Sequence, residues 1–357
     1  MPKKIFTKAE GLRKKSQYME SLELFRKALK GFSSKKDLQG ILDCQMAIGD
    51  VSRMTGDFDK ALEHYIRAIE TARLLGDPVS IADAQINIGL SFRGRGDWRN
   101  ALAFSKKALG FYMKRKDAPA TAFALWAIAG TFRIKGDIPS AIRTYNEALE
   151  LFKKLKSKPS TGYCLCGLGG THRIAGLFRE SLKYYQSANR LFAGIKDRFG
   201  MAYSYCGTGN AYRMLGDYKS AMAHFKRAST IYNRIGDRVS YAYTVWSMGT
   251  TQKMLGKHKE ATEYFKQAES FFRQTKDPRG MIYARLGMAE VALLEGRKKT
   301  ALRLAEGAVA EALQHGFMVE RCHAEVLRSY LVGRMKPGCY RKLGLALAFT
   351  EPPFNIP

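Results

Sequence analysis

The chain has 357 residues, 46% of them hydrophobic and 26% charged, which excludes a disordered polymer, and its 10 prolines are too few to interrupt long helices. Sixty Lys and Arg against 32 Asp and Glu leave a formal charge of +28, a balance that favours anionic partners such as acidic peptide, nucleic acid or anionic lipid. No run of about 18 apolar residues is present to span a membrane, and the basic start at residues 1–6 has no apolar signal core behind it.

The elements repeat along the chain. Glycine stands at Gly56, Gly96, Gly136, Gly176, Gly216, Gly256 and Gly296, each forty residues after the last, with Ser16 in the glycine place one step earlier. Five positions on comes a small residue (Ser21, Ala61, Ala101, Ala141, Ser181, Ala221, Ala261, Ala301). Seven further on comes an unbroken alanine column from Ala28 and Ala68 to Ala308. Two aromatic columns share their face, one with Phe25, Tyr65, Tyr145, Tyr185, Phe225 and Phe265, the other with Phe32, Tyr112, Phe152, Phe192, Tyr232 and Phe272. Steps of three, four and seven are the helical spacing, so small residues admit a neighbouring backbone and large ones fill the space beside it.

Taken in order, the units are 1–36, 37–76, 77–116, 117–156, 157–196, 197–236, 237–276 and 277–316, each read as two helices. In the second unit the spacing predicts helix A over 38–54, a left-handed stop at Gly56, Asp57 as N-cap, and helix B to about 75. Gly76-Asp77 turns the chain into the next unit. Lys116-Asp117, Lys196-Asp197, Gly236-Asp237 and Lys276-Asp277 do the same, with a variant turn at residues 156–159. After Gly316 the register decays. A capping helix is expected over 317–336, ended by Pro337-Gly338, because a solenoid must cover its last apolar face. Residues 337–357 form a tail that either packs on the last repeat, the preferred expectation, or occupies a groove.

A small residue late in helix A, then Gly-Asp-aromatic-x-x-Ala, then an aromatic, then Ala is similar to the tetratricopeptide repeat. The run from Gly209-Asn210-Ala211-Tyr212 to Leu215-Gly216-Asp217-Tyr218 carries the resemblance best. The unit is longer than the usual length of about 34. Forty-residue units with a Gly-Asp hinge resemble the Pins/LGN class of polarity scaffolds, and bacterial helical-hairpin regulators also use long units. The expected fold is all-α: a right-handed superhelical α-solenoid of about eight such hairpins plus the capping helix.

In that architecture the A helices line a concave groove, and three of their columns are expected to face it. One is basic: Arg13, Arg53, Arg93, Arg133, Arg173, Arg213 and Lys253. A second contains Asp43, Asp83, Phe123, Tyr163, Tyr203, Tyr243 and Tyr283, and a third contains Trp126, Cys166, Cys206 and Trp246. Guanidinium forks suit carboxylate or phosphate, and rings supply contact area at small entropic cost. The expected function is therefore a non-enzymatic scaffold or adaptor that binds an acidic or amphipathic segment of a partner protein. The basic middle is the preferred segment, with twelve basic and three acidic residues over 157–236.

Two alternatives remain open. Arg53, Arg93, Arg133 and Arg213 each precede an aspartate by four (Asp57, Asp97, Asp137, Asp217), so the ladder could be a repeated hinge device. Tyr163, Tyr203 and Tyr243 beside Arg173 and Arg213 could instead hold single-stranded nucleic acid. No cofactor or metal is expected. The cluster at Gly167–Gly170 sits mid-helix without a phosphate-loop pattern, and Cys164 and Cys166 point about 200° apart on a helix. The six cysteines show no CxxC pair or framework spacing, which fits a reduced, cytoplasmic setting.

Overall fold

A computed structural model describes residues 1–335 and 338–357. The chain divides into two compact units, residues 1–128 with 233–238, and residues 129–232 with 239–357. The first holds the hairpins α1 (Pro2–Lys14) with α2 (Tyr18–Ser33), α3 (Leu38–Met54) with α4 (Phe58–Leu74), and α5 (Pro78–Gly94) with α6 (Trp98–Lys114). It also takes the first part of α7 (Ala118–Lys135). The second holds the rest of α7 with α8 (Ile138–Lys154), then α9 (Lys158–Ala175), α10 (Phe178–Ile195), α11 (Arg198–Met214) and all but the last turn of α12 (Tyr218–Ile235). It continues with α13 (Arg238–Met254), α14 (His258–Gln274), α15 (Pro278–Leu294), α16 (Lys298–His315), α17 (Met318–Leu331) and the short α18 (Cys339–Lys342). Among the described residues there is no strand.

The hinges follow from one residue each. Gly56 takes φ +83°, and Asp57 N–H reaches back to the Ser52 carbonyl at 2.8 Å, which closes the end of α3. Where glycine is missing, lysine accepts the same left-handed geometry: Lys116, Lys156, Lys196 and Lys276 lie at φ 51–57°, and Ser16 at φ 59°. Aspartate then caps the next helix. Asp37, Asp77, Asp197 and Asp277 accept N–H groups of α3, α5, α11 and α15, and Asp57, Asp97 and Asp137 do so for B helices.

The columns pack as the pattern requires. Ala61, Ala101, Ala141, Ala221, Ala261 and Ala301 have no exposed surface, nor do Ala28, Ala68, Ala108, Ala148, Ala188, Ala228, Ala268 and Ala308. The aromatic rings of B helices sit on the small residues of A helices. A Cβ on Gly209 would stand 2.7 Å from Phe225, and one on Gly249 2.9 Å from Phe265. Real side chains do not approach so closely, so glycine there sets the distance between helices.

Two features at the C-terminal end differ from expectation. Helix α17 stops at Leu331, with Gly333 left-handed at φ +70°; the expected stop at Pro337 lies outside the described residues. Cys322 and Cys339 form a disulfide across a sequence separation of 17, with Cα atoms 5.8 Å apart. Sequence spacing offers no sign of it, because α17 and α18 bring the thiols together only in three dimensions. Beyond α18 the tail runs back along the second unit. Ala346 N–H donates to the Ala175 carbonyl at 2.8 Å, at the end of α9.

Candidate peptide-binding face

The ladder residues divide by their company. In the first unit Arg13 forks onto Glu10 at 2.8 Å and stands 3.7 Å from Asp50, which also lies 3.9 Å from Arg53 and accepts from the Tyr65 hydroxyl at 2.7 Å. Arg93 lies over the Trp126 ring at 5.0 Å, and Phe123 stacks on that ring at 5.6 Å. These arginines are half-buried and have acidic or aromatic neighbours, although Arg53 Nε is buried without a hydrogen-bond partner among the described residues.

The second unit is different. Arg133 crosses from α7 to α9, where its Nη1 lies against Gly170, one turn before Arg173. Arg133 Nε and Arg173 Nε and Nη1 are buried and find no hydrogen-bond partner among the described residues. Arg213 is fully buried and lies 5.7 Å from the Trp246 ring centre. Burial, with Arg173 nearby, pushes its pKa down to about 9. Lys253 pairs with Glu290 at 2.8 Å, both side chains almost wholly buried. Burial pushes the Lys253 ammonium down and the Glu290 carboxyl up, each against its partner's charge. Arg279 pairs with Glu320 at 2.5 Å. Arg133, Arg173, Arg213, Lys253 and Arg279 therefore share this region with the carboxylates of Glu290 and Glu320, and burial strengthens every uncompensated charge.

The tail lies on this face. Lys253 Nζ donates to the Phe354 carbonyl at 2.8 Å, Phe354 N–H donates to Glu290 at 2.6 Å, and Arg213 Nη2 donates to the Ile356 carbonyl at 2.9 Å. Arg213 Nη1 also meets Asn355 Oδ1, while Asn355 Nδ2 donates to the Arg213 carbonyl at 2.9 Å. Phe354 also packs near Tyr330 of α17. The tail thus covers the last helix and occupies the ladder as well.

The tyrosine column has a structural role that sequence reasoning missed. Tyr163 packs on Phe192 with ring centres 4.8 Å apart, and its hydroxyl donates to Asp197, the cap of α11, at 2.7 Å. Tyr243 packs on Phe272 at 4.8 Å and its hydroxyl bonds Asp277, the cap of α15. Tyr283 is buried and donates to Glu320 at 2.9 Å. Tyr203 is half-buried beside Phe199 at 6.3 Å, and Trp246 donates to the Tyr283 carbonyl at 3.0 Å. The signal was present as a tyrosine 34 residues ahead of a cap aspartate.

A family model described as tetratricopeptide repeat matches residues 5–74, 80–154, 160–234 and 202–274. The chain belongs to the tetratricopeptide repeat family. No curated protein matches it. Among solved structures, a Rap protein complexed with Competence and Sporulation Factor aligns with TM-score 0.62 at 15% identity, covering 96% of this chain and 99% of that one. The Rap conjugation gene regulator of plasmid pLS20, in complex with the Phr* peptide, aligns with TM-score 0.67 at 13% identity, covering 87% and 95%. The APC/C hetero-tetramer Cut9-Hcn1 aligns with TM-score 0.60 at 18% identity, covering 92% and 55%. At these identities the likeness is one of fold.

In this tetratricopeptide array the hinge aspartates are occupied as caps. Asp57 accepts from Lys60, Asp97 from Asn100 and Asp137 from Ser140. Among the described residues Arg53, Arg133 and Arg213 make no ion pair with Asp57, Asp137 or Asp217. Among the described residues, no group of three or more His, Cys, Asp or Glu could hold a metal, and no helix is long and apolar enough to cross a membrane. Burial pushes the Cys164 thiol up to about 12, and Cys166 is raised as well, so neither is a ready nucleophile.

Proposed function

We propose that this tetratricopeptide repeat protein is a non-enzymatic interaction scaffold. Its second unit receives an acidic segment of a partner protein, with apolar anchors, on the A-helix face that carries Arg133, Arg173, Arg213 and Lys253. The supporting observation is the pair Arg133 and Arg173, whose buried guanidinium nitrogens lack partners among the described residues. Carboxylates of an incoming segment supply charge-assisted acceptors for them. The backbone hydrogen bonds that hold 354–356 support the reading, since extended chain already fits this face. The Rap regulator solved in complex with the Phr* peptide supports it by fold alone, as a similar array that is found with a peptide.

The test is selection of random peptides on the intact chain, repeated on Arg133→Glu/Arg173→Glu. Acidic sequences with aromatic or aliphatic anchors are expected to enrich on the first and to be lost on the second. Their affinity should fall as salt rises. Selection of peptides with no acidic bias, or retention by the charge-reversed variant, would refute it.

A further inference from the structure

We propose that the segment 352–357 is the resident occupant of this face, and that an extended acidic peptide of a partner protein binds by displacing it. The proposal rests on the scaffold reading above and adds what guards the site.

The segment is held largely through its backbone. Lys253 and Arg213 read the carbonyls of Phe354 and Ile356, and Glu290 reads the Phe354 N–H. Such hydrogen bonds tolerate sequence change, because any extended chain presents the same groups. Preference enters through three side chains: Phe354, buried with Phe349 at 5.5 Å between ring centres, Asn355, whose amide exchanges hydrogen bonds with Arg213, and Ile356, also buried. The matching ligand is therefore aromatic at one position, hydrogen-bonding at the next and aliphatic at the one after.

The resident segment fits incompletely. Glu290 Oε1 is buried without a partner among the described residues, as are Arg173 Nε and Nη1. Buried polar atoms left unpaired are costly. From 349 to 357 the chain offers one side-chain carboxylate, Glu351, and that side chain is exposed. A peptide that keeps the backbone hydrogen bonds and brings carboxylates to Arg133 and Arg173 satisfies more of the site than the tail does. Release of the segment leaves its base in place, since the Cys322–Cys339 bond ties α18 to α17.

The experiment titrates two labelled probes into the full chain and into full-chain Phe354→Ala/Ile356→Ala. One probe is the peptide of residues 349–357; the other is an acidic peptide from the selection above. Both are expected to bind the variant at least about tenfold more tightly than the wild type. If the acidic peptide binds both proteins alike and still needs Arg133 and Arg173, displacement is refuted while the scaffold reading stands. If neither probe binds either protein, both readings fall. If the 349–357 peptide alone binds the variant, the tail occupies a site no acidic partner uses, and the proposal is overturned. Should the variant fail to fold, hydrogen exchange on the wild type decides. The Phe354 amide is expected to exchange faster when the acidic peptide is added, and unchanged exchange overturns the proposal.

Discussion

Replacing Glu290 by alanine tests the chemistry of the face most sharply. Lys253 and Glu290 are 1% and 0% exposed and meet at 2.8 Å. Among the described residues the substitution leaves the Lys253 ammonium buried with the Phe354 carbonyl alone, and it strands the Phe354 N–H. Removing one partner of a buried pair costs about 3–5 kcal/mol, because the surviving charge stays desolvated. Adding Lys253→Met removes that charge and replaces it with apolar surface of similar volume. The double variant should then lie within about 1–2 kcal/mol of wild type. The two changes are thus strongly non-additive. Urea unfolding followed by circular dichroism at 222 nm measures all four corners of the cycle. A Glu290→Ala variant within about 1 kcal/mol of wild type, or two changes that simply add, would refute the reasoning.

Four further outcomes follow from the same geometry. His323 is buried among Tyr283, Tyr340 and Phe349, and burial lowers its pKa from 6.5 to about 4, with Arg279 and Arg173 opposing the pull of Glu320. The unfolded chain therefore binds a proton that the folded chain refuses. Stability is complete above pH 6.5 and falls towards pH 4, by up to roughly 3 kcal/mol; His323→Phe should flatten that slope in urea titrations across pH. Breaking the Cys322–Cys339 bond by Cys339→Ser should lower stability by up to about 3 kcal/mol, measured against the oxidised wild type. Gly207→Ala drives a Cβ into the Tyr185 ring and should cost about 1–3 kcal/mol in thermal or urea unfolding. Asp197→Ala removes both the cap on Gly200 N–H and the acceptor of Tyr163. It should cost more than Asp97→Ala, which loses a cap worth about 1 kcal/mol and an exposed hydrogen bond from the Asn100 side chain.

The repeat was legible because its physics is local. A glycine that must turn left-handed and an aspartate that must cap are single-residue signals, and forty-residue recurrence made them plain at Gly56-Asp57 and again at Gly216-Asp217. Period placed Tyr163 and Tyr243 on a face, but it does not say where a hydroxyl goes. The carboxylates at Asp197 and Asp277 belong to the next hairpin and become visible only once the hairpins are stacked. The ladder looked uniform in sequence. In the folded chain Arg13 and Arg53 have acidic neighbours, Arg213 and Lys253 have the tail, and Arg133 and Arg173 have no acidic neighbour within ion-pair distance and keep nitrogens unpartnered among the described residues. The tail's partners and the disulfide were out of reach for the same reason. Ile356 meets Arg213 across 143 positions, and nothing in the local pattern of either residue announces the other.

The most direct measurement is a fluorescence-anisotropy titration of one labelled acidic, amphipathic peptide against the wild-type chain and Arg133→Glu/Arg173→Glu, at low and at high salt. Two charge-assisted hydrogen-bonding groups are at stake, so the reversal should weaken binding at least about tenfold, and salt should weaken the wild-type complex in the same direction. Equal affinity for both proteins, indifferent to salt, would contradict the assignment of this face as the peptide site.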